Sequence, residues 1–481
     1  MSKKVFKNST YYMIASFLPT VVGFLMLPIY SRYLTPTDYG VVALVLSLQA
    51  FLPLIMTLQI HSSIARFYFD YKNNKYKLNI FISTILLITF ILATTILILL
   101  LIYLNEIISF VFPKTIGYNN IFYIGILTSY VVVFNSVFIA MIRVQQKAKL
   151  FMKASSFLFF ISLFINILEI VVYERGVYGV VEAALLSACI NCIIYFLLVK
   201  EFFVFKIDFK MIIEPLMYSL PLIPHSLSGL IFMYSDRIIL ERYVTLSAIG
   251  LYMFSDKVAM VFKILVNEFN SAFSPFFIEK SKQSKELAKK EVQKISLIFI
   301  YFTSMLMVIV ALFSAELVYF LLDDKYFDTW KMIPLLSSAY IFRSLYCFSS
   351  SGLFFEKQTG KVAIITIVSG LVNIGLNLWL IPKYGVIVAI YTTIFSFFLT
   401  FIMAELMSYQ VYYLQLNLKN NLLILIYLFC SILISINLNE SFKDFGYVEY
   451  LYKLFVILVG LFIGYRLNIL NPKKLLLRIK G

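Results

Sequence analysis

Long apolar stretches alternate with short polar connectors along the whole chain. A helix needs about 20 predominantly apolar residues to cross the hydrocarbon layer of a bilayer, and these stretches reach that length. Hydropathy predicts spans near residues 10–31, 41–63, 79–104, 118–142, 154–173, 178–199, 214–235, 249–275, 295–320, 332–355, 362–381, 386–408, 421–437 and 448–465. The pattern therefore predicts an all-α integral membrane protein with about fourteen transmembrane helices.

Composition agrees with this architecture and excludes several function classes. Of 481 residues, 61% are hydrophobic and 14% are charged, whereas soluble domains carry about 45–50% apolar and about 25% charged residues. The predicted connectors are far shorter than a soluble domain of about 50–200 residues. No H-E-x-x-H, G-x-x-x-x-G-K-[ST] or G-x-S-x-G motif occurs. The sequence thus shows no site for nucleotide hydrolysis or covalent catalysis.

The basic residues indicate topology. Lys and Arg total 41 against 25 Asp and Glu, a net charge of +16, which on a soluble chain would suggest a nucleic-acid partner. In a membrane protein the positive-inside rule explains the same excess. The basic clusters fall on alternate connectors, near residues 66–77, 143–153, 200–210, 280–294 and 466–480. We therefore expect no nucleic-acid partner, a multi-pass topology and both termini in the cytoplasm.

An internal repeat divides the chain. Arg32-Tyr33-Leu34-Thr35 with Gly40 recurs as Arg242-Tyr243-Val244-Thr245 with Gly250, and the offset is 210. Gln146-Lys147-Ala148-Lys149 resembles Gln358-Thr359-Gly360-Lys361, and Tyr178-Gly179-Val180-Val181 resembles Tyr384-Gly385-Val386-Ile387. An offset of six spans gives both copies the same orientation, as in two-lobed transporters. The repeat predicts an N-terminal six-helix lobe (1–205), a C-terminal six-helix lobe (206–412) and two additional helices with a basic tail (413–481).

Charged residues inside predicted spans are the candidate site, because an ionised group at the bilayer centre costs about 2.5–3.5 kcal/mol on insertion scales. At 100° per residue, polar residues of the eighth span fall within an arc of roughly 60°. They are Asp256, Lys263, Asn267, Asn270 and Ser274. Lys257 and Glu268 form a second, narrower line. This arrangement predicts a helix face that lines a hydrated cavity, and a structural polar seam between helices is the alternative.

Other charged positions supplement this face. Arg343 lies midway along the tenth span and is a candidate cavity residue, with structural ion pairing as the alternative. Asp236 and Arg237 lie at the outer end of the seventh span, where a terminal charge can instead snorkel to water. Glu182 and Glu268 are the candidate carboxylates for ion coupling, although their spacing singles out neither of them.

Prolines mark the seventh span as a weak helix. Pro215, Pro221 and Pro224 all fall within or beside it, and each removes a helical hydrogen bond. They predict a bend in this span.

Three segments resemble a known family. Leu27-Pro28-Ile29-Tyr30-Ser31-Arg32-Tyr33-Leu34-Thr35-Pro36-Thr37-Asp38-Tyr39-Gly40 is similar to the opening signature of Wzx-type oligosaccharide-lipid flippases. Leu220-Pro221-Leu222-Ile223-Pro224-His225-Ser226-Leu227-Ser228-Gly229 with Asp236-Arg237, and Leu380-Ile381-Pro382-Lys383-Tyr384-Gly385, resemble two further segments. The resemblance implies the fold of the multidrug, oligosaccharidyl-lipid and polysaccharide exporter superfamily, with alternating access between the two membrane faces.

The resemblance also implies a cargo and a location. The cargo would be an undecaprenyl-pyrophosphate-linked oligosaccharide for O-antigen or capsule assembly, carried across a bacterial cytoplasmic membrane. Arg237, Lys257, Lys263 and Arg343 fit the cationic cavity residues that related flippases use for the pyrophosphate. Glycan polymerase and assembly proteins would be partners, and no cofactor is implied beyond a coupled Na⁺ or H⁺.

Three alternatives stay open at this stage. The first is a multidrug exporter of the same fold, for which carboxylates and aromatics would be more natural than lysine and arginine. The second is a membrane-embedded glycan polymerase or ligase, which usually has a long outer loop that this chain lacks. The third is a structural scaffold, which does not account for the polar face of the eighth span.

Overall fold

The computed structural model describes residues 3–414, 416–440 and 447–470, and these residues contain helices and no strand. The basic tail beyond residue 470, which the sequence assigns to the cytoplasm, lies outside the described residues. The first helices are α1 (Lys3–Leu25), α2 (Leu27–Tyr33), α3 (Pro36–Thr57), α4 (Ser63–Tyr71), α5 (Lys75–Ile102), α6 (Leu104–Val111), α7 (Asn119–Val144), α8 (Ala148–Ile167) and α9 (Gly176–Val199). The remainder are α10 (Ile213–Ser219), α11 (Leu222–Tyr243), α12 (Leu246–Gln283), α13 (Lys285–Leu312), α14 (Ser314–Leu321), α15 (Thr329–Phe355), α16 (Thr359–Tyr384), α17 (Val386–Tyr409), α18 (Leu418–Glu440) and α19 (Tyr447–Arg466).

Local sequence signals set several helix boundaries. Thr35 and Asp38 form a reciprocal capping box at the start of α3, and Pro36 occupies its first position. Ser284 caps α13 by accepting a hydrogen bond from the backbone N–H of Leu287. These caps satisfy backbone donors that have no partner within a helix.

Eleven of the described helices are long and apolar enough to cross a membrane, and the count reaches twelve if one bent pair is a single span. The bent pair joins 209–219 to 222–243 at an angle of 46°, which confirms the bend predicted from the three prolines. The predicted eighth and tenth spans form α12 and α15, which the apolar count does not include. These two helices carry the polar candidates, so the figure of about fourteen spans stays a prediction.

The positions of the helices confirm the repeat. Six α-helices of the first copy begin 210 or 211 residues before their counterparts. The pairs are α3 with α12, α5 with α13, α6 with α14, α7 with α15, α8 with α16, and α9 with α17, and the short turns at Pro113 and Asp324 follow the same offset. The agreement extends well beyond the tetrapeptides that first indicated it.

Two of the tetrapeptide equivalences are wrong in register. Gln146 and Lys357 have the same left-handed φ, 57° and 58°, and both lie two residues before a helix. Gln146 therefore corresponds to Lys357 and not to Gln358. Tyr178-Gly179 lies within the first turn of α9, whereas Tyr384 ends α16 and Gly385 precedes α17. Helix starts, and not residue identity, define the repeat there.

The described residues form two compact units, which divide between Gly250 and Leu251 within α12. The core of the first unit lies among α1, α4, α5, α7, α8 and α9, and includes fully buried Ile64, Phe81 and Val137. In the second unit a smaller core joins α15, α16 and α17 through Leu353, Ile365 and Ala404. The predicted lobes at 1–205 and 206–412 follow the repeat instead and stay a prediction.

Within the first unit the two repeat-related corners touch. A Cβ added at Gly40 would collide with the backbone carbonyl of Leu246, and one added at Gly250 would collide with the carbonyl of Pro36. Each glycine also lies against the backbone N–H group of the other. The repeat thus places two glycines where the backbones of α3 and α12 approach too closely for any side chain.

Candidate functional site

The polar residues of α12 lie on one uninterrupted helix, as their spacing requires. Asp256, Lys263, Asn267 and Asn270 are all half-buried, and Ser274 is exposed. The narrower line of Lys257 and Glu268 is half-buried as well. Partial burial of so many polar groups on one apolar helix is consistent with a hydrated face.

Arg343 of α15 joins this face. Its Nη2 donates a hydrogen bond to Oδ1 of Asn267 on α12 at 3.3 Å, and the two residues are 76 positions apart in the sequence. The guanidinium is half-buried, and its Nε is buried without an acceptor. Among the described residues, Arg343 forms no salt bridge. A neutral amide is therefore its protein partner among the described residues.

An aromatic cluster fixes the two helices that carry this contact. The ring of Phe269 on α12 stacks on Phe299 of α13 with centroids 3.7 Å apart, and it meets Phe348 of α15 edge-on at 5.6 Å. Phe273 also contacts Phe348, at 5.0 Å. Aromatic packing of this kind restricts movement of α12 against α15, and so it orients Asn267 towards Arg343.

Asp236 and Arg237 have each other as partners. Nη1 of Arg237 lies 3.1 Å from Oδ1 of Asp236 and donates a second hydrogen bond to the carbonyl of Met233. The guanidinium carbon also lies 5.3 Å from the ring centroid of Tyr234. Both residues are buried, 7% and 4% exposed. This arrangement gives Arg237 a compensating carboxylate, which Arg343 lacks.

The two candidate coupling carboxylates have different environments. Glu182 accepts a hydrogen bond from Arg175 at 2.5 Å, and Glu169 lies 3.7 Å from the same guanidinium. The Glu182 hydrogen bond is the main cause that raises the pKa of Arg175. Glu268 is half-buried on α12 and forms no salt bridge within the described part of the chain. Of the two, Glu268 is the one without a compensating cation.

The sequence reasoning missed a buried ion pair. Nζ of Lys453 on α19 lies 2.5 Å from Oε1 of Glu316 on α14 and 3.0 Å from Oδ1 of Asn439 on α18. Lys453 is fully buried, and Glu316 is 7% exposed. The amide of Asn439 donates to the carbonyl of Ala311 and to Ser314. The rule applied to Arg343, a charge well inside an apolar span, also applies to Lys453 and could have identified it.

A second buried polar chain also escaped the sequence analysis. Oγ1 of Thr392 on α17 donates to Oδ1 of Asn377 at 2.5 Å, and Nδ2 of Asn377 donates to Oδ1 of Asn373 at 3.2 Å. All three residues are buried. They join α16 to α17, and the spacing of Asn373 and Asn377 by one helical turn was the available signal.

Two further features define the chemical possibilities of the described residues. No three His, Cys, Asp or Glu side chains among them are arranged to hold a metal ion. An apolar groove of about 540 Å³ runs between α18 and α19, with Leu423, Ile426, Phe455 and Ile463 among its lining residues. Its surface suits a hydrocarbon chain.

Comparisons with known proteins place the chain in a family. Residues 5–281 match the family described as "Polysaccharide biosynthesis protein". The chain is 26% identical to "Lsg locus putative protein 1" of Haemophilus influenzae over 294 residues, which cover 59% of this chain and 68% of that protein.

Solved structures share the fold. The inward closed conformation of the lipid II flippase MurJ has a TM-score of 0.72 and 16% identity, and the match covers 95% of this chain and 99% of MurJ. An inward-facing multidrug resistance MATE family transporter of the MOP superfamily has a TM-score of 0.65 and 15% identity, covering 84% and 95%.

These matches confirm the family indicated by the segments at 27–40 and 220–229, which both lie within the matched region. The solved relatives are transport proteins and not enzymes. The chain belongs to the polysaccharide biosynthesis protein family and shares its fold with the MurJ flippase and the MATE family transporter.

Proposed function

We propose that this protein is a flippase that moves an undecaprenyl-pyrophosphate-linked oligosaccharide from the cytoplasmic to the outer leaflet by alternating access. The observation that carries the proposal is Arg343, a half-buried guanidinium whose protein partner is the amide of Asn267 and not a carboxylate. Desolvating a cation without a counter-charge is costly, and a pyrophosphate would offset that cost. Family membership and the MurJ-like fold agree with a lipid-linked cargo.

Lys257 and Lys263 of α12 share the proposed site with Arg343. Both are half-buried on the helix that supplies Asn267. Asp256 and Asn267 would bind hydroxyl groups of the first sugar, and the cavity role of Asp236 and Arg237 stays a prediction from the sequence. The polyprenyl tail stays in the lipid, for which the groove between α18 and α19 offers a surface of matching polarity.

The proposed setting follows from the cargo. A bacterial cytoplasmic membrane holds the lipid carrier, and the basic connectors favour cytoplasmic termini. Glycan polymerase and assembly proteins would receive the product on the outer face.

Glu268 is our candidate for Na⁺ or H⁺ coupling, because Glu182 is already held by Arg175. Imposing a Na⁺ gradient or a pH gradient singly at fixed potential tests this role. A Glu268→Gln variant should lose the response to one gradient, and Glu182→Gln should keep it.

Transport in proteoliposomes tests the function directly. Purified protein would be reconstituted with a fluorescent undecaprenyl-pyrophosphate oligosaccharide, and leaflet exchange would be followed by quenching from outside. We expect leaflet exchange that depends on the protein. The Lys263→Ala, Arg343→Ala double variant should lower the rate of exchange at least about tenfold, because each charged hydrogen bond contributes about 1.5–3 kcal/mol. The matched control is Arg66→Ala with Lys290→Ala, which removes the same charge from exposed positions.

Two outcomes would contradict the proposal. An unchanged exchange rate in the Lys263→Ala, Arg343→Ala variant would contradict the proposed cationic site. No exchange with any glycan, despite folded protein and active dye efflux, would favour the multidrug exporter.

A further inference from the structure

The first unit contains a cavity that the proposed transport site does not use. It measures about 330 Å³ and lies between α1, α7, α8 and α9, within the lower part of the size range of small-molecule sites, about 300–1,000 Å³. One end reaches Arg143, in the last turn of α7. The basic connector after α7 is predicted to be cytoplasmic.

The polar lining of this cavity is concentrated on α8 and α9. The hydroxyls of Ser155 and Tyr195 lie 3.2 Å apart, and Ser187 donates to Ser162 at 3.2 Å. Asn191 lies one helical turn before Tyr195 and also lines the cavity. Within the described residues its side-chain amide makes no hydrogen bond, although it is half-buried. Hydroxyls and a free amide are the groups that bind a polyol.

The wall formed by α1 adds an acceptor and an apolar surface. Pro19 lies inside α1, and because proline has no N–H, the carbonyl four residues earlier, at Ala15, loses its helical donor. Ala15, Leu18, Pro19 and Val22 all line the cavity. The α1 wall is therefore apolar apart from one backbone carbonyl.

Arg143 supplies the charge. Its guanidinium carbon lies 5.7 Å from the ring centroid of Phe151, and the residue is exposed at the cavity mouth. Arg143 forms no salt bridge with any described residue. Arg175 and Arg237, by comparison, each contact a carboxylate. A single uncompensated guanidinium at the mouth of a polar cavity matches an anion of about one charge.

We propose that this cavity binds a phosphate ester that carries hydroxyl groups, with the phosphate on Arg143 and the hydroxyls against Ser155, Asn191 and Tyr195. Two sources share this chemistry, namely the glycerol headgroup of an anionic bilayer lipid and a free sugar or glycerol phosphate. The apolar α1 wall and the position of Arg143 at the end of a membrane span favour the bilayer lipid. The site is separate from Arg343 and does not depend on the flippase proposal.

Native mass spectrometry of the purified full-length chain tests this site. The probes are phosphatidylglycerol, phosphatidylcholine and soluble glycerol 1-phosphate. We expect retained phosphatidylglycerol adducts, with the affinity lowered about tenfold or more by Arg143→Gln, largely restored by Arg143→Lys and unchanged by Arg66→Gln. Arg66 is the matched control because it is an exposed arginine already paired with Asp70. Asn191→Leu, which keeps the charge of Arg143, should weaken the binding of phosphatidylglycerol more than the binding of phosphatidylcholine.

The outcomes separate the two sources. Competition by glycerol 1-phosphate at concentrations comparable to those of the lipid would support a free phosphate ester, whereas retention of the lipid without such competition would support the bilayer lipid. Equal binding of phosphatidylcholine, or unchanged phosphatidylglycerol binding in both the Arg143→Gln and Asn191→Leu variants, would overturn the proposal. A thermal melt of each variant identifies misfolded protein, and a misfolded Arg143→Gln leaves Asn191→Leu as the deciding variant.

Discussion

The cations of this protein differ in the groups that they contact. Lys453 and Arg237 are buried with carboxylates at hydrogen-bonding distance. Arg343 contacts an amide, and Arg143 contacts an aromatic ring. Because burial of a charge requires compensation, an anionic ligand would contribute most at the half-buried Arg343. The exposed Arg143 has no carboxylate partner among the described residues.

The Asn267–Arg343 contact gives a sharp test at this scale. Asn267→Asp places a carboxylate where the amide now lies, 3.3 Å from the guanidinium. The new ion pair would satisfy Arg343 internally and should weaken pyrophosphate binding by about tenfold or more, at little cost in stability. Asn267→Ala removes the amide without adding charge and should bind more tightly than Asn267→Asp. Binding of radiolabelled undecaprenyl pyrophosphate measures both, and equal affinities would contradict the assigned role of Arg343.

The buried Lys453–Glu316 pair predicts a stability effect instead. Lys453→Met leaves the Glu316 carboxylate buried without its cation, and the expected loss is about 3–5 kcal/mol. Adding Glu316→Gln to Lys453→Met should recover much of that loss, because no buried charge then remains. Thermal unfolding in detergent, followed by the accessibility of the native cysteines, compares the single and double variants. A double variant as unstable as Lys453→Met would mean that packing of Lys453, and not its charge, stabilises α19.

At the residue scale the sequence located charges but not their partners. Arg343 and Asn267 were both predicted as cavity residues, yet their contact depends on how α12 packs against α15, which no spacing within one helix reveals. Lys453 was missed because the charges considered within spans did not include those of the last helix. Its partner, Glu316, lies 137 residues away, and only the docking of α19 brings the two together.

At the element scale the repeat was the most informative sequence signal. Its offset predicted which helices correspond, and the starts of α3, α5, α7 and α9 agree with their counterparts to one residue. What it could not predict is where the copies differ. The first copy breaks after α3 at Leu58 and Gln59, both with left-handed φ, whereas α12 continues unbroken to Gln283. Leucine and glutamine rarely adopt left-handed φ, so local preference does not explain the break, and tetrapeptide identity does not report it.

The glycine contact between the corners of α3 and α12 gives a prediction for these elements. Gly40→Val introduces a side chain that collides with the carbonyl of Leu246, and overpacking of this kind costs about 1–3 kcal/mol. The corners should be forced apart, so that a cysteine at Ser47 reacts faster with a membrane-impermeant maleimide than in the parent. Gly360→Val is the matched control, since a Cβ there meets no atom within 4 Å. Unchanged labelling with unchanged stability would contradict the close backbone contact at these corners.

At the scale of the whole molecule the family and fold could be predicted from the sequence, and the cargo could not. The segment at 27–40 contains the capping box of α3, and the segment at 220–229 includes the bend before α11. Both segments therefore carry information about the backbone, which is why they identify the fold. Cargo choice depends on a few cavity side chains, and one fold serves many substrates. The TM-score of 0.72 to MurJ therefore shows a shared fold, and the headgroup is left to experiment.

Charge movement across the membrane provides the decisive whole-molecule prediction. A pyrophosphate headgroup of about −2 that moves outward is driven by an inside-negative potential and gains about 4.6 kcal/mol per 100 mV. This gain corresponds to roughly a thousandfold leaflet asymmetry at equilibrium. In proteoliposomes with a potassium diffusion potential set by valinomycin, the labelled lipid should accumulate in the outer leaflet at inside-negative potential, and reversing the potential should reverse the asymmetry. A lipid with an uncharged headgroup serves as the control. If cargo distribution ignores the potential while exchange remains fast, cations must move with the pyrophosphate, and Glu268 becomes the first residue at which to look for them.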